Sequence, residues 1–265
     1  MSQDVFRLDG QVVAVIGSAS GIGAAAAHLC AASGATVVCC DKDDEGGRRV
    51  ADEIRAAGGA ASSLHLDIVQ GAAVDEAFAR VMADHGRLDG VVSTPSVNVR
   101  KPILKYAEEE LDRVLTLNLK GSFHVLRAAG RLMIAKRRGS IVLFSSIRAQ
   151  VVEPGQSVYA ATKAGILQMA RGAASEFGRY GVRVNVIAPG VVETPLTEPI
   201  KAKPDWYNAY AAKNLLNRWA RAEEIAGPTV FLLSEAASYI TGSYLVVDGG
   251  WLAADGRFDP PGMEL

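Results

Sequence analysis

With 265 residues, 49% of them hydrophobic and 22% charged, the chain has ordinary globular composition and enough length to bury a large core without disulfides or metals. Its formal net charge of −1 supplies no field to gather nucleic acid or anionic lipid, so neither is an expected partner. Cys30, Cys39 and Cys40 make no Cys-x-x-Cys pair, and MSQDVFRLDG has neither the basic nor the apolar region of a signal peptide. No apolar run is long enough to span a bilayer. Buried, reduced thiols, a cytoplasmic location, no membrane partner and no metal site are the expectation.

In chain order, the first apolar run, Val12–Ile16, leads into Gly17-Ser18-Ala19-Ser20-Gly21-Ile22-Gly23 and then an alanine-rich helix over 21–33. Glycines here permit a tight turn and close backbone approach, and the free N–H groups of the following helix suit a pyrophosphate. The position between a strand and a helix gives the G-x-x-x-G-x-G spacing its weight. The second run, 36–40, ends at Asp41, about twenty residues past the glycines, where an acid bonds both ribose hydroxyls of NAD and repels a 2′-phosphate. NAD is therefore expected before NADP, although Lys42 softens the repulsion. Asp67, at the end of the run 64–66, reads either as an adenine contact or as a helix cap.

Further runs at 91–92, 141–144, 182–188 and Tyr244–Val247 are mostly continuous, as in strands buried on both faces. Helical spacing recurs at 44–57, 72–84, 108–137 (with a break near 119–121), 157–180 and 222–234. Arg48-Arg49 and Lys136-Arg137-Arg138 read as solvated helix ends. This alternation predicts an α/β fold, a single Rossmann-like doubly wound parallel sheet of about seven strands with helices on both faces. One domain over 1–265 is expected. The stretch 196–215 holds Pro199, Pro204, Trp206, Tyr207 and Tyr210 but no strand, and reads as a substrate lid.

Ser145-Ser146 follows the run 141–144, and Tyr159 and Lys163 stand four apart on one helix face. With Gly17/Gly21/Gly23, Asp41, Asn118 within Leu117-Asn118-Leu119-Lys120-Gly121, and Pro189-Gly190 followed by Thr194, these residues make the chain resemble the short-chain dehydrogenase/reductase family. The resemblance implies an NAD(H)-dependent oxidoreductase that interconverts a secondary alcohol and a ketone by hydride transfer. Tyr159 is then the general acid/base, Ser146 holds the substrate oxygen, Lys163 bonds the nicotinamide ribose, and Asn118 kinks its helix and holds a water. Lowering a tyrosine from about 10 to neutrality takes roughly 4 kcal/mol, which one ammonium about 4 Å away supplies at an effective dielectric near 20. Lys163 is assigned that role. The cofactor contacts expected are Gly17, Ser20, Gly21, Ile22, Gly23, Asp41, Asp67, Ile68, Tyr159, Lys163, Pro189, Gly190, Val192 and Thr194.

Two places depart from the family pattern. Ile16 replaces a threonine, and Ser93-Thr94-Pro95-Ser96 stands where the family writes Asn-Asn-Ala-Gly. The hydroxyls of Ser93 and Thr94 are expected to take over the asparagine bonds, with Pro95 and Ser96 outside the site. Asn98, Arg100, Arg148 and Glu153 are the candidate substrate contacts, the arginines by bidentate bonding to a carboxylate or phosphate. The chain resembles bacterial members that act on sugar acids or polyols, such as gluconate dehydrogenases. Alternatives are a 3-oxoacyl-carrier-protein reductase using NADPH and a non-catalytic nucleotide-sensing protein on the same fold. Family members are commonly tetramers, so a homotetramer or homodimer is expected. The final strand within 239–250 and a tail holding Phe258, Pro260 and Pro261 are its candidate contacts.

Overall fold

A computed structural model of the chain describes residues 4–254. Seven strands are joined in the order β3-β2-β1-β4-β5-β6-β7. They are β1 (Val12–Ile16), β2 (Thr36–Asp41), β3 (Ala60–His65), β4 (Gly90–Ser93), β5 (Gly139–Phe144), β6 (Val182–Pro189) and β7 (Tyr244–Val247), all parallel to their neighbours.

Because side chains alternate across a strand, one apolar run serves two cores. Val12, Ala14 and Ile16 of β1 face α3 (Gly71–His85), α5 (Gly121–Lys136) and α6 (Ser157–Phe177), through Phe78, Val125 and Ile166. Val13 and Val15 face α1 (Gly21–Ala32), α2 (Asp44–Ala56) and α9 (Glu223–Leu233), through Cys30, Ile54 and Val230. Cys39 and Cys40 are buried on opposite faces, and all three cysteines are free thiols. Burial pushes the Cys39 thiol up to about 12.

The strand order reverses between β1 and β4, which opens a crevice at the carboxyl ends of the strands. Between α4 (Glu108–Leu115) and α5, the expected helix break is a π-helical turn, Thr116–Lys120. Beyond β6 lie two short helices, α7 (Glu198–Lys201) and α8 (Pro204–Ala211).

Three expectations need correction. β3 begins at Ala60, because an edge strand with half-exposed residues needs no apolar run, whereas Leu66 lies past its end. Arg48 and Arg49 sit within α2 rather than at its end, and Arg49 Nη2 donates to the Ala19 carbonyl at 2.8 Å. Ser93 ends β4, and its hydroxyl has no hydrogen bond among the described residues. Phe258, Pro260 and Pro261, the expected intersubunit tail, lie outside the described residues. Among the described residues no helix is long and apolar enough to cross a membrane, and no cluster of metal-ligating side chains occurs.

Candidate active site

The crevice is a cleft of about 660 Å³ at the carboxyl ends of β1, β2, β4, β5 and β6. The half of it next to α1 is built on absent side chains. Gly17 and Gly21 have φ of 82° and 54°, the left-handed region that glycine enters without strain. A Cβ on Gly23 would fall 1.9 Å from the Gly17 carbonyl oxygen, so only glycine lets α1 start this close to β1. The resulting cradle exposes the first N–H groups of α1, the donors a pyrophosphate takes. Asp41, at the tip of β2, accepts from Ala19 N at 2.9 Å and Asp43 N at 3.0 Å, which holds its carboxylate at the cleft wall. Asp67 and Ile68 line the same wall; Asp67 Oδ1 accepts from Val69 N at 3.2 Å, and Gln70, not Asp67, stands at the N-cap position of α3, without a side-chain capping bond.

Pro189, Gly190, Val192 and Thr194 close the opposite side. Gly190 N donates to the Val247 carbonyl at 3.0 Å, and Thr194 lies so close to Gly21 that a Cβ there would be 3.3 Å from it. Ser20, Ile22, Ser146, Tyr159 and Lys163 line the cleft as well.

Ser146 stands just beyond β5 and caps the turn Ile147–Ala149, its Oγ accepting from Arg148 N at 3.2 Å. Its carbonyl accepts from the Tyr244 hydroxyl at 2.6 Å, tying this loop to β7. Ser145 Oγ donates to the Lys163 carbonyl at 2.7 Å, which locks α6 against the same loop. Lys163 is buried, and its Nζ donates to the Phe144 carbonyl at 2.9 Å. Burial without an anionic partner pushes its pKa down to about 7. Its Nζ is 5.4 Å from the Tyr159 ring centre.

Burial also raises the Tyr159 pKa; hydrogen bonding from Ser146 and Ser96, and the positive charges of Arg100 and Arg148, work against that rise. Two guanidiniums, on the loops after β4 and β5, thus add positive charge around a phenol whose ring has the Lys163 ammonium 5.4 Å from its centre. One of the three N–H groups of the Lys163 ammonium is taken by the Phe144 carbonyl, which leaves two for other partners.

Asn118 is fully buried in the π turn and does not line the cleft. It grips the loop after β4 at two points: Oδ1 accepts from Val97 N and Nδ2 donates to Val97 O, both at 2.9 Å. Nδ2 also donates to Thr162 Oγ1 at 3.1 Å, linking that loop to α6. Thr94 Oγ1 donates to the Ile16 carbonyl at 3.0 Å, a bond that ties the ends of β4 and β1. The altered loop therefore forms a wall of an open cleft. Pro95 and Ser96, left out on sequence grounds, line it.

The four candidate substrate residues lie in one network beside the cleft rather than in its lining. Glu153 is paired with Arg148, accepts from Gln156 Nε2 at 2.9 Å and from the Tyr210 hydroxyl of α8 at 2.6 Å, and has Arg100 Nη1 at 3.6 Å. Asn98 Nδ2 donates to Gln156 Oε1 at 2.9 Å, while its buried Oδ1 has no partner among the described residues. Arg100 lies 5.3 Å from the Trp206 ring centre and Arg148 5.2 Å from that of Trp251. Gln156, Tyr210 and Thr162 carried no motif in the sequence.

A family model described as enoyl-(acyl carrier protein) reductase matches residues 17–252. The chain is 35% identical to a 3-oxoacyl-[acyl-carrier-protein] reductase of Thermotoga maritima over 92% of this chain and 98% of that one. The chain belongs to the short-chain dehydrogenase/reductase family. As a member it is an NAD(P)-dependent oxidoreductase acting on CH–OH groups. It is also 37% identical to the D-threitol dehydrogenase of Mycolicibacterium smegmatis, over 93% of this chain and 94% of that one. Among solved structures, a gluconate 5-dehydrogenase from Burkholderia cenocepacia in complex with NADP and tartrate superposes with a TM-score of 0.92. It is 31% identical, over 95% of this chain and 98% of that one. This short-chain dehydrogenase/reductase thus shares its seven-stranded Rossmann-like fold with its relatives.

Proposed function

We propose that the protein interconverts a secondary alcohol and a ketone on a small polar substrate, a sugar acid or polyol, using NAD(H). The observation that carries this reading is the convergence of Ser146, Tyr159 and Lys163 at the inner end of a cleft shaped for a dinucleotide. The glycine cradle fits the pyrophosphate, and Asp41 offers a carboxylate to the adenosine ribose. Bound there, the nicotinamide supplies or accepts the hydride. Ser146 Oγ holds the substrate oxygen, Tyr159 moves the proton to or from it, and Lys163 bonds the ribose and carries positive charge beside the phenol. Asn118 acts through position, by holding the loop at Val97 against α6. The rest of the expected cofactor set, Gly17, Ser20, Gly21, Ile22, Gly23, Asp67, Ile68, Pro189, Gly190, Val192 and Thr194, forms the walls.

Asn98, Arg100, Arg148 and Glu153 set the substrate side, and 196–215 serves as lid of a single domain over 1–265. The relatives named for gluconate and threitol support a polyhydroxylated substrate. NAD is favoured over NADP by the Asp41 carboxylate, which repels a 2′-phosphate. A cytoplasmic homotetramer or homodimer, joined through helix faces and the half-buried edge strand β7, completes the reading.

The test is a panel of D-gluconate, D-threitol, cyclopentanol and a 3-oxoacyl thioester, each run with both nicotinamide cofactors. Turnover of the first two with NAD+ is expected. Tyr159→Phe retains NADH binding and loses at least about 100-fold in turnover, the scale of a missing general acid/base. An active Tyr159→Phe overturns the assignment; preference for the thioester with NADPH replaces it with the carrier-protein reductase.

A further inference from the structure

Ser146 lies past the end of β5, and the bonds inside its own turn do not fix it to the sheet. Arg148 N donates to its Oγ at 3.2 Å and Ala149 N to its carbonyl at 2.9 Å, so both partners move with the turn. The preceding residue is anchored. Ser145 N donates to the Ile187 carbonyl of β6 at 2.8 Å, and its Oγ to the Lys163 carbonyl at 2.7 Å. One peptide further on, among the described residues, a single group from outside the turn bonds the Ser146 backbone. It is the Tyr244 hydroxyl, which donates to the Ser146 carbonyl at 2.6 Å.

Tyr244 is the first residue of β7, which is separated from β5 by β6. Adjacent strands lie about 4.8 Å apart, so the bond crosses roughly 10 Å of sheet, and a short hydroxyl side chain at 244 would not reach. The mount is firm. Tyr244 pairs with Val186, Val186 N donates to the Ser243 carbonyl at 3.0 Å, and the ring packs on the core that holds Ile166 and Ala170 of α6. That packing asks only for the ring; phenylalanine would supply it. Burial pushes the phenol up to about 12, so it keeps its proton and stays a donor at neutral pH. Tyr244 does not line the cleft, so its route to the chemistry runs through Ser146.

We propose that Tyr244 is a positioning residue for the reaction, whose hydroxyl holds the Ser146 carbonyl to the sheet and so fixes where Ser146 Oγ stands toward the substrate oxygen. Tyr159 and Ser146 meet that oxygen from two mounts, α6 and the loop after β5, and Tyr244 sets the second. The precision matters, because a displacement of about 1 Å can cost roughly 100-fold in rate. The inference rests on Ser146 holding the substrate oxygen, and its test separates the two.

Turnover is measured for the parent, Tyr244→Phe, Ser146→Ala and the double variant, on whichever of D-gluconate and D-threitol the parent oxidises faster with NAD+. Enzyme in excess of substrate brings the slow rates within reach. Tyr244→Phe is expected to lower kcat by about tenfold, between the few-fold of one net hydrogen bond and the roughly 100-fold of an ångström's displacement, with NAD+ affinity unchanged. In the Ser146→Ala background the same substitution is expected to change kcat by less than about twofold, since it has nothing left to position. A merely structural role would cost the same factor in both backgrounds, and that result overturns the inference, as does a parent-like kcat in Tyr244→Phe. A Ser146→Ala variant with parent turnover overturns the reading of Ser146 beneath it. Hydrogen–deuterium exchange adds a measurement that needs no substrate. The Arg148 and Ala149 amides are expected to exchange a few-fold faster in Tyr244→Phe, and parent rates there would show that the hydroxyl does not hold the turn.

Discussion

Lys163 shows how one side chain is both costly to fold and useful once folded. Its ammonium is buried against a carbonyl, with no carboxylate to balance it, and its pKa falls to about 7 from an ordinary value of 10.5. Between these two values the unfolded chain holds a proton that the folded protein has released. Stability therefore rises with pH across that window, and the full burial cost is felt below it. At about 1.4 kcal/mol per pH unit the cost is a few kcal/mol. Lys163→Met, which buries a stem of similar length without charge, is expected to be more stable than the parent at pH 6. Its advantage should shrink as the pH climbs from about 7 toward the free-lysine value. Urea unfolding at a series of pH values checks this; an advantage that stays constant with pH would mean that burial of the charge is not its source. On the function proposed above, bound NAD gives the ammonium a ribose hydroxyl as a partner, and the gap is expected to narrow in its presence.

At the level of elements, the strand–glycine–helix unit was the most legible part of the sequence. Its physics is local: an apolar run, three glycines in seven residues and an alanine-rich helix all follow one another. Gly23→Ala tests that unit. A Cβ there meets a backbone carbonyl at 1.9 Å, so the cradle must open. NADH affinity is expected to fall by about tenfold or more, a loss of at least about 1.4 kcal/mol, while far-ultraviolet circular dichroism stays native. Titration of NADH fluorescence reads the affinity, and unchanged binding would show that the pyrophosphate lies elsewhere. Less of the fold could be read where an element depends on neighbours. Ala60, Ala61, Ser62 and Ser63 form most of β3 although none is strongly apolar, because pairing with β2 and an edge position decide it. The break between α4 and α5 was visible at Gly121, yet its π-helical form and the grip of Asn118 on Val97 were not. Similarly, Ser96 was passed over because the family pattern marks that position with glycine, yet it lines the cleft.

Across the whole molecule, the segment after β6 is joined to the loops after β4 and β5 around one carboxylate, with Arg100 Nη1 also donating to the Tyr210 hydroxyl at 3.3 Å. Glu153 takes the Tyr210 hydroxyl from α8, and the aromatic residues of that region stack behind it: Tyr207 and Trp219 have centroids 4.9 Å apart, and Trp206 and Trp251 meet Tyr210 edge-on. Tyr210 and Glu153 are 57 residues apart, so no spacing rule in the sequence could pair them. The aromatic cluster holds the segment together internally, whereas Glu153 ties it to the body of the protein, where Arg148 and Gln156 keep the carboxylate in place. Removing the charge while keeping the shape should therefore loosen the attachment and leave the cluster intact. Hydrogen bonds to a charged group contribute about 1.5–3 kcal/mol, which corresponds to roughly tenfold or more in an opening equilibrium. Glu153→Gln is expected to speed amide exchange across α8 by that factor, with exchange in α1 and α6 unchanged. Tyr210→Phe, which deletes the donor and keeps the ring, should produce the same pattern. Hydrogen–deuterium exchange resolved by peptide gives the readout. If α8 exchanges at the parent rate in both variants, the aromatic cluster alone seats the segment, and the carboxylate serves the substrate side of the cleft instead.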